Sequence, residues 1–296
     1  MRKKILITGA NGQLGNELQK LASGYPQLEF FPTDVDTLNL CNKEDIEAFL
    51  SKNPMDYIVN CAAYTAVDKA EDDVEICYRI NRDAVQNIAE SAPAQTRIIH
   101  ISTDYVFDGM GKTLLKESDQ TNPQSVYGKS KLAGEQILMK IKPESIIIRT
   151  AWLYSSFGNN FVKTMIRLGE ERDSINVVND QIGTPTYAAD LAKAILDIIM
   201  WRKNVARNAP AIPAGIYHYS NEGICSWYDF AVEIHKLAGI TAGKLHPIPT
   251  SEYPTKAKRP MYSVLDKTKI KSTFQITVPE WEESLKRMII LNAAGV

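Results

Sequence analysis

The chain has 296 residues, 44% apolar and 23% charged, which is enough length for one large domain or two smaller ones with buried cores. Its 34 basic residues nearly balance 35 acidic ones, and a net charge of −1 favours neither nucleic acid nor an anionic membrane. Cys41, Cys61, Cys77 and Cys225 show no CxxC spacing, so the expectation is a reduced, cytoplasmic protein without a disulfide framework or a zinc site. The first apolar stretch is too short for a signal peptide, and no run reaches the roughly 18 apolar residues of a spanning helix.

In chain order, "KKILIT" predicts a strand and "QLGNELQKLA" a helix. "EFFP" reads as a short strand, "KEDIEAFLSK" as a helix and "DYIVNCAA" as a buried strand. A long helix is expected from Glu71 to Ala92, followed by the strand "RIIHIST". Asn122-Pro123 signals the start of a helix over 126–141, with Val126, Ala133, Ile137 and Ile141 on or near one face. "SIIIRTAW" closes the series as another strand. Near-continuous apolar strands alternating with helices predict a parallel sheet covered on both faces.

Beyond Trp152 the alternation loosens into short strands such as "INVV" and "GIYHYS". Helices are expected over "NNFVKTMIRLGE", "AADLAKAILDIIM", "SWYDFAVEIHKLA" and "PEWEESLKRMIILN". The basic run Lys256-Ala257-Lys258-Arg259 reads as a solvated loop. The expected class is α/β: a Rossmann-like doubly wound parallel sheet over 1–153, and a smaller mixed α/β lobe over 154–296 with segments returning to the first domain.

Gly9, Gly12 and Gly15 follow the apolar run Ile5-Leu6-Ile7. In a strand–turn–helix, Gly9 allows the tight turn, Gly12 lets a pyrophosphate approach the backbone, and Gly15 lets the helix pack close. The helix N-terminus then offers free N–H groups to the phosphates. The same glycines also suit a turn that needs only their conformational freedom. Asp34, after the second strand, stands where a carboxylate accepts from the adenosine ribose. A bare carboxylate there repels the extra phosphate of NADP, so NADH is expected to be accepted. Lys43 keeps NADPH open, and the domain over 1–153 reads as NAD(P)-binding.

"SVYGKSKLAGE" places Tyr127 and Lys131 one helical turn apart on one face. A free tyrosine titrates near pH 10, and a neighbouring ammonium moves that toward neutrality, where the phenol works as acid or base. An exposed amphipathic face produces the same spacing. The strand "RIIHIST" ends in Ser102-Thr103-Asp104, at the carboxyl edge where parallel sheets bind ligands. Thr103 could hold a carbonyl beside Tyr127, and the triplet also suits a turn or cap. Ala62 and Ala63 leave room for a cofactor at the same edge, and Thr65-Ala66-Val67-Asp68 matches a capping box. His100 reads as a packed or hydrogen-bonded core residue, while His218, His235 and His246 share no metal spacing.

Together, TGxxGxxG, the Ser-Thr strand end and Y-x-x-x-K resemble the extended short-chain dehydrogenase/reductase superfamily. "NCAAYTAVDKAE", "STDYVFDG", "NPQSVYGKSKLAGE", "RTAWLY", "NNFVKTM", "DQIGTPT", "CSWYDFA" and "KRPMYSVLD" resemble the dTDP-4-dehydrorhamnose reductase family, from Ile5 to about Arg287. The resemblance implies reduction of the C4 keto group of dTDP-6-deoxy-L-lyxo-4-hexulose to dTDP-L-rhamnose by NADPH or NADH. It makes Tyr127 the proton donor, Lys131 the group that lowers its pKa and holds the nicotinamide ribose, and Thr103 a partner of the carbonyl.

Carried over stretch by stretch, the cofactor contacts fall on Gly12, Gln13, Leu14, Asp34, Asn39, Leu40, Ala62, Ala63 and Tyr64. The substrate contacts fall on Thr103, Asp104 and Trp152, with Thr65, Val67 and Arg259; Arg259 suits the diphosphate. Asn39 stands where the family often has Asp. Some members hold a magnesium ion at a dimer interface, through an acid in the first helix and an adjacent acidic pair. Glu17 matches the first acid, but Ala189-Asp190 supplies one acid of the pair, so no metal site is expected here. The resemblance also allows a homodimer. Two other readings stay open: another NDP-sugar reductase or epimerase, and a non-catalytic regulatory subunit.

Overall fold

The computed structural model describes residues 2–201 and 212–293. Five apolar segments of the first half form strands β1 (Lys3–Thr8), β2 (Leu28–Thr33), β3 (Tyr57–Asn60), β4 (Arg97–Thr103) and β5 (Ile146–Thr150). A sixth strand, Gly215–His218, comes from far along the chain and joins the edge beside β5. Across the sheet the order is Gly215–His218, β5, β4, β3, β1, β2, and every pair is parallel. The order reverses between β1 and β3, which opens a crevice at the carboxyl ends of those strands.

Alternation along each strand gives the sheet two apolar faces. Leu6, Ile58, Ile98 and Ile147 pack on Ile46 and Leu50 of α2 (Lys43–Lys52), Val85 and Ile88 of α4 (Ala84–Ser91) and Leu138 of α5 (Val126–Ile141). Ile5, Ile7, Val59, Ile99 and Ile148 pack on Leu14 and Leu18 of α1 (Gln13–Leu21) and on Leu191, Ile195 and Ile199 of α7 (Ala188–Met200). Each fully buried side chain of this kind contributes about 1.5–3 kcal/mol. The fold is therefore a doubly wound α/β sheet of the Rossmann kind.

A second core gathers Tyr154, Val162, Met165, Val177, Phe230 and Leu285. It lies between α6 (Phe161–Glu171), α8 (Trp227–Ala238), α10 (Trp281–Ala293) and the parallel pair Ser174–Val178 with Lys244–Ile248. The sixth strand, α7 and α9 (Thr268–Phe274) contribute to the first core instead. Among the described residues no helix is long and apolar enough to cross a membrane.

Several local expectations are corrected. The long helix from Glu71 to Ala92 is instead a 3₁₀ turn, α3 (Val74–Tyr78), a π turn over Arg79–Asp83, and α4. The π turn turns Asn81 inward, where its amide accepts from the Tyr64 N–H at 2.9 Å and donates to the Tyr64 carbonyl at 3.1 Å. Gly134 of α5 lies so close that any Cβ there would collide with the Asn81 carbonyl. No capping box forms at Thr65–Asp68, because the Asp68 carboxylate takes the Ala257 N–H and the Arg259 guanidinium. The basic run is a loop with Lys256 and Lys258 exposed, as expected, but it is tied down: Ala257 is buried, and Lys256 pairs with Asp72. Strands β3 and β5 stop at Asn60 and Thr150, short of the expected "CAA" and "AW".

The start of α5 is Ser125, whose hydroxyl accepts the Gly128 N–H at 3.1 Å, rather than Asn122-Pro123. Its buried face carries Tyr127, Ser130, Lys131, Gly134, Glu135 and Leu138, while Val126, Ala133, Ile137 and Ile141 are half-buried. Glu135 draws that face inward, accepting from Arg149 of β5 at 2.9 and 2.7 Å with both side chains buried. Replacing Glu135 with Ala would strand the Arg149 charge. The expected loss is about 3–5 kcal/mol of unfolding free energy, measured by urea titration.

Candidate active site

The carboxyl edge of the sheet opens into a cleft of about 1230 Å³. Its floor begins at the glycine turn. Gly9 has φ +62°, and a Cβ there would stand 2.8 Å from the Ala62 backbone. A Cβ on Gly15 would stand 2.5 Å from the Gly9 carbonyl oxygen. Gly12 caps α1 with extended backbone and no side-chain bond. The first helical bond runs from the Asn16 N–H to the Gly12 carbonyl at 3.0 Å, so the N–H groups of Gln13, Leu14 and Gly15 precede it. An uncapped helix N-terminus lining a cleft fits a pyrophosphate by both its donors and its dipole.

Asp34 lines the same end and pins the turn to β2, accepting the Asn11 N–H at 2.9 Å and the Val35 N–H at 2.8 Å. Asn39, Leu40, Ala62 and Ala63 complete this wall, and the Asn39 amide oxygen accepts the Cys41 N–H. Tyr64 is not part of the lining. Its hydroxyl donates to Asp73 at 2.8 Å, and its backbone is held by Asn81.

Thr103, Tyr127 and Lys131 come together on the cleft wall. Thr103 ends β4, donates to Asp104 at 3.0 Å and accepts the Tyr105 N–H at 3.2 Å, so it caps the turn Asp104–Val106 while facing the cleft. Lys131 donates to the Ile101 carbonyl at 2.6 Å, and its Nζ lies 3.5 Å from His100 Nε2. Burial lowers the Lys131 ammonium to about 8, against the pull of Glu135.

Tyr127 packs edge-on against Tyr105, with ring centroids 5.5 Å apart. Burial pushes its phenol above the ordinary value, although a hydrogen bond with Thr103 works the other way. This direction is opposite to the lowering expected from the sequence, because desolvation of the buried phenol outweighs its neighbours. Like a free phenol, Tyr127 holds its proton at neutral pH, and it faces the cleft as a candidate proton donor. Asp104 is buried, and burial raises its carboxyl to about 6 despite bonds with Ser263 and Thr103.

The opposite wall is aromatic. Trp152, in the left-handed region at φ +47°, stacks on Trp227 with centroids 3.6 Å apart and planes 12° apart. The ring passes over Gly183, where a Cβ would stand 2.7 Å from it. Arg259 donates to Asp68 at 2.6 Å and to the Tyr105 hydroxyl at 3.4 Å, and among the described residues its buried Nε has no partner. Thr65 and Val67 line the rim beside it.

Trp227, Tyr105, Gly158 and Asn159 also line the cleft and were not singled out from sequence. For Trp227 a signal existed: it opens α8 directly after Ser226, which forms a capping box with Asp229. Glu17 and Asp190 are each engaged within the protein. Ser155 donates to Glu17 at 2.6 Å, and Arg287, Ser284 and Asn221 donate to Asp190. With Arg287 already supplying the positive charge at Asp190, these residues do not fit a divalent ion.

The family model described as the RmlD substrate binding domain matches residues 2–293. The dTDP-4-dehydrorhamnose reductase of Aggregatibacter actinomycetemcomitans is 42% identical over 292 residues, covering 96% of this chain and 98% of that protein. The chain belongs to the dTDP-4-dehydrorhamnose reductase family. A crystal structure of the family from Clostridium acetobutylicum is similar with a TM-score of 0.90 at 47% identity, covering 98% of this chain and 99% of that one. The Bacillus anthracis family structure, in complex with NADP, gives a TM-score of 0.91 at 38% identity, covering 98% and 99%.

Asp104 gives the site a pH signature. Its pKa is raised on folding, so the folded state binds its proton more tightly than the unfolded state does, and stability falls as pH rises from about 4 to about 6. Asp104→Asn removes that penalty. Relative to wild type, it is expected to gain on the order of 2–3 kcal/mol between pH 4 and pH 8 in urea unfolding.

Proposed function

We propose that the chain reduces the C4 keto group of dTDP-6-deoxy-L-lyxo-4-hexulose to dTDP-L-rhamnose with NADPH or NADH, the last step of dTDP-L-rhamnose synthesis. One observation carries this reading. In a chain of this family, a single cleft joins an uncapped, glycine-built helix N-terminus to Thr103, Tyr127 and Lys131. Gly9, Gly12, Gln13, Leu14 and Gly15 receive the cofactor pyrophosphate, and Asp34 with Asn39 and Leu40 takes the adenosine end. Residues 1–153 hold the cofactor, and 154–296 mainly the sugar nucleotide. The four free cysteines suit a reducing compartment, the cytoplasm.

A bound nicotinamide supplies the hydride. The chain's own part is to orient the keto sugar and to manage one proton. Thr103 and Tyr127 meet the sugar oxygen, and the buried phenol donates its proton as negative charge develops there. Lys131 stabilises the phenolate that remains. Trp152, braced by Trp227, closes the sugar side, and Arg259 serves the diphosphate with two of its nitrogens held by Asp68 and Tyr105. The intact Thr103, Tyr127 and Lys131 favour catalysis over a regulatory subunit.

NADPH and NADH oxidation, followed with the keto sugar and with product identification, tests this reading and ranks the two cofactors. Tyr127→Phe is expected to lower kcat by roughly 10²–10⁴-fold with little change in KM. Folded wild-type protein that turns over with neither cofactor would sink the reading.

A further inference from the structure

Directly above the apolar rows, the sheet face that carries α5 bears a buried polar row. Thr8 of β1, Asn60 of β3 and His100 of β4 are register partners across three strands, and all three are buried. The Thr8 hydroxyl donates to Asn60 Oδ1 at 2.7 Å. The Ala62 N–H donates to the same oxygen at 3.2 Å. Because a backbone N–H can only donate, Oδ1 must face Ala62. The Asn60 amide nitrogen then faces His100 Nδ1, at 3.1 Å. An NH₂ group also only donates, so Nδ1 must accept, and a neutral ring must carry its proton on Nε2. That nitrogen is the one 3.5 Å from Lys131 Nζ.

We propose that Thr8 and Asn60 lock His100 in the Nε2–H tautomer, so that His100 acts as a positioning residue that presents an N–H to Lys131 and loosens the lysine's hold on its proton. An ammonium finds no acceptor in that N–H, whereas a neutral amine accepts from it through its lone pair. Lys131 keeps its short bond to the Ile101 carbonyl in either state. The lowering of Lys131 and the burial that keeps His100 neutral agree with this geometry. Besides His100, the titratable groups around Lys131 are Glu135, itself held by Arg149, together with Cys61 and Cys77, and Tyr127 one turn earlier.

The inference deepens the proposed reductase and rests on it for its consequence. As the Tyr127 O–H bond breaks, the sugar O–H forms. A Lys131 N–H bond then breaks as the phenol O–H is restored, with water in the open cleft carrying the proton from one to the other. The amine accepts the His100 N–H until solvent returns its proton. A poised lysine thus resets the acid between turnovers.

The tautomer can be read without turnover, so it stands apart from the reaction assignment. In protein labelled with ¹⁵N-histidine, His100→Gln identifies the His100 signals among those of the four histidines. The wild-type ring is expected to show a protonated Nε2 and an unprotonated Nδ1 at pH 7. The opposite tautomer, or an imidazolium, overturns the proposal. Asn60→Asp offers an acceptor to Nδ1 and should flip the tautomer, giving Lys131 an acceptor at Nε2. The alkaline limb of the kcat–pH profile is then expected to move up by about one pH unit. A uniform fall in kcat with the limb unmoved, in folded protein with a flipped ring, overturns the link to Lys131. Should the variant not fold, the wild-type spectrum alone decides the tautomer on which the proposal stands.

Discussion

The buried ion pair of Glu135 with Arg149 sets the rotation of α5, and the cleft depends on which face of that helix looks inward. Desolvating two charges is costly, and bidentate geometry within hydrogen-bond distance is what offsets it. The pair works less as a net source of stability than as a register pin. With Glu135 facing β5, the residues one and two turns earlier, Lys131 and Tyr127, must also face the sheet. Gly134 then brings the helix against the Asn81 carbonyl, so that Asn81, Ser130 and the Tyr64 backbone are tied together.

The sheet supplies the second constraint. Along the face that carries α5, the rows change character toward the carboxyl edge, from Leu6–Ile58–Ile98 to Thr8–Asn60–His100. Apolar rows anchor the helices, and the polar row lies at the end of the sheet that opens into the cleft, where Thr8 lines it. Every member of that row has a partner, as buried polar groups require. On the other face of the sheet, Gly15 lets α1 lie against the Gly9 carbonyl, Gly9 lets the Ala62 backbone approach the turn, and the α1 N-terminus carries no side-chain cap.

Much of this was legible in the sequence because strand burial and glycine spacing are local signals. Strand β4 and helices α2 and α5 fall where the alternation and periodicity put them. The face of α5 did not, because Val126, Ala133, Ile137 and Ile141 look like a core stripe, whereas the true inward face owes its burial to an ion pair formed across the fold. The π turn at Asn81 was equally hidden, since one extra residue in a helical turn leaves no compositional mark. At Asp68, a cap-like pattern lost to a long-range partner, Arg259. The phenol of Tyr127 was expected to be lowered by its neighbour. Burial outweighed that neighbour, and only the packed structure reveals the burial.

The central claim is that this cleft passes one hydride to the sugar carbon while Tyr127 supplies the proton. Turnover with nicotinamide cofactor deuterated at C4 on the transferred face, followed by mass spectrometry of the nucleotide sugar, tests it most directly. The account predicts one deuterium, fixed at C4 of the product sugar, and none from D₂O at that carbon when unlabelled cofactor is used. Product without cofactor-derived deuterium, or with C4 deuterium taken from solvent, would contradict it.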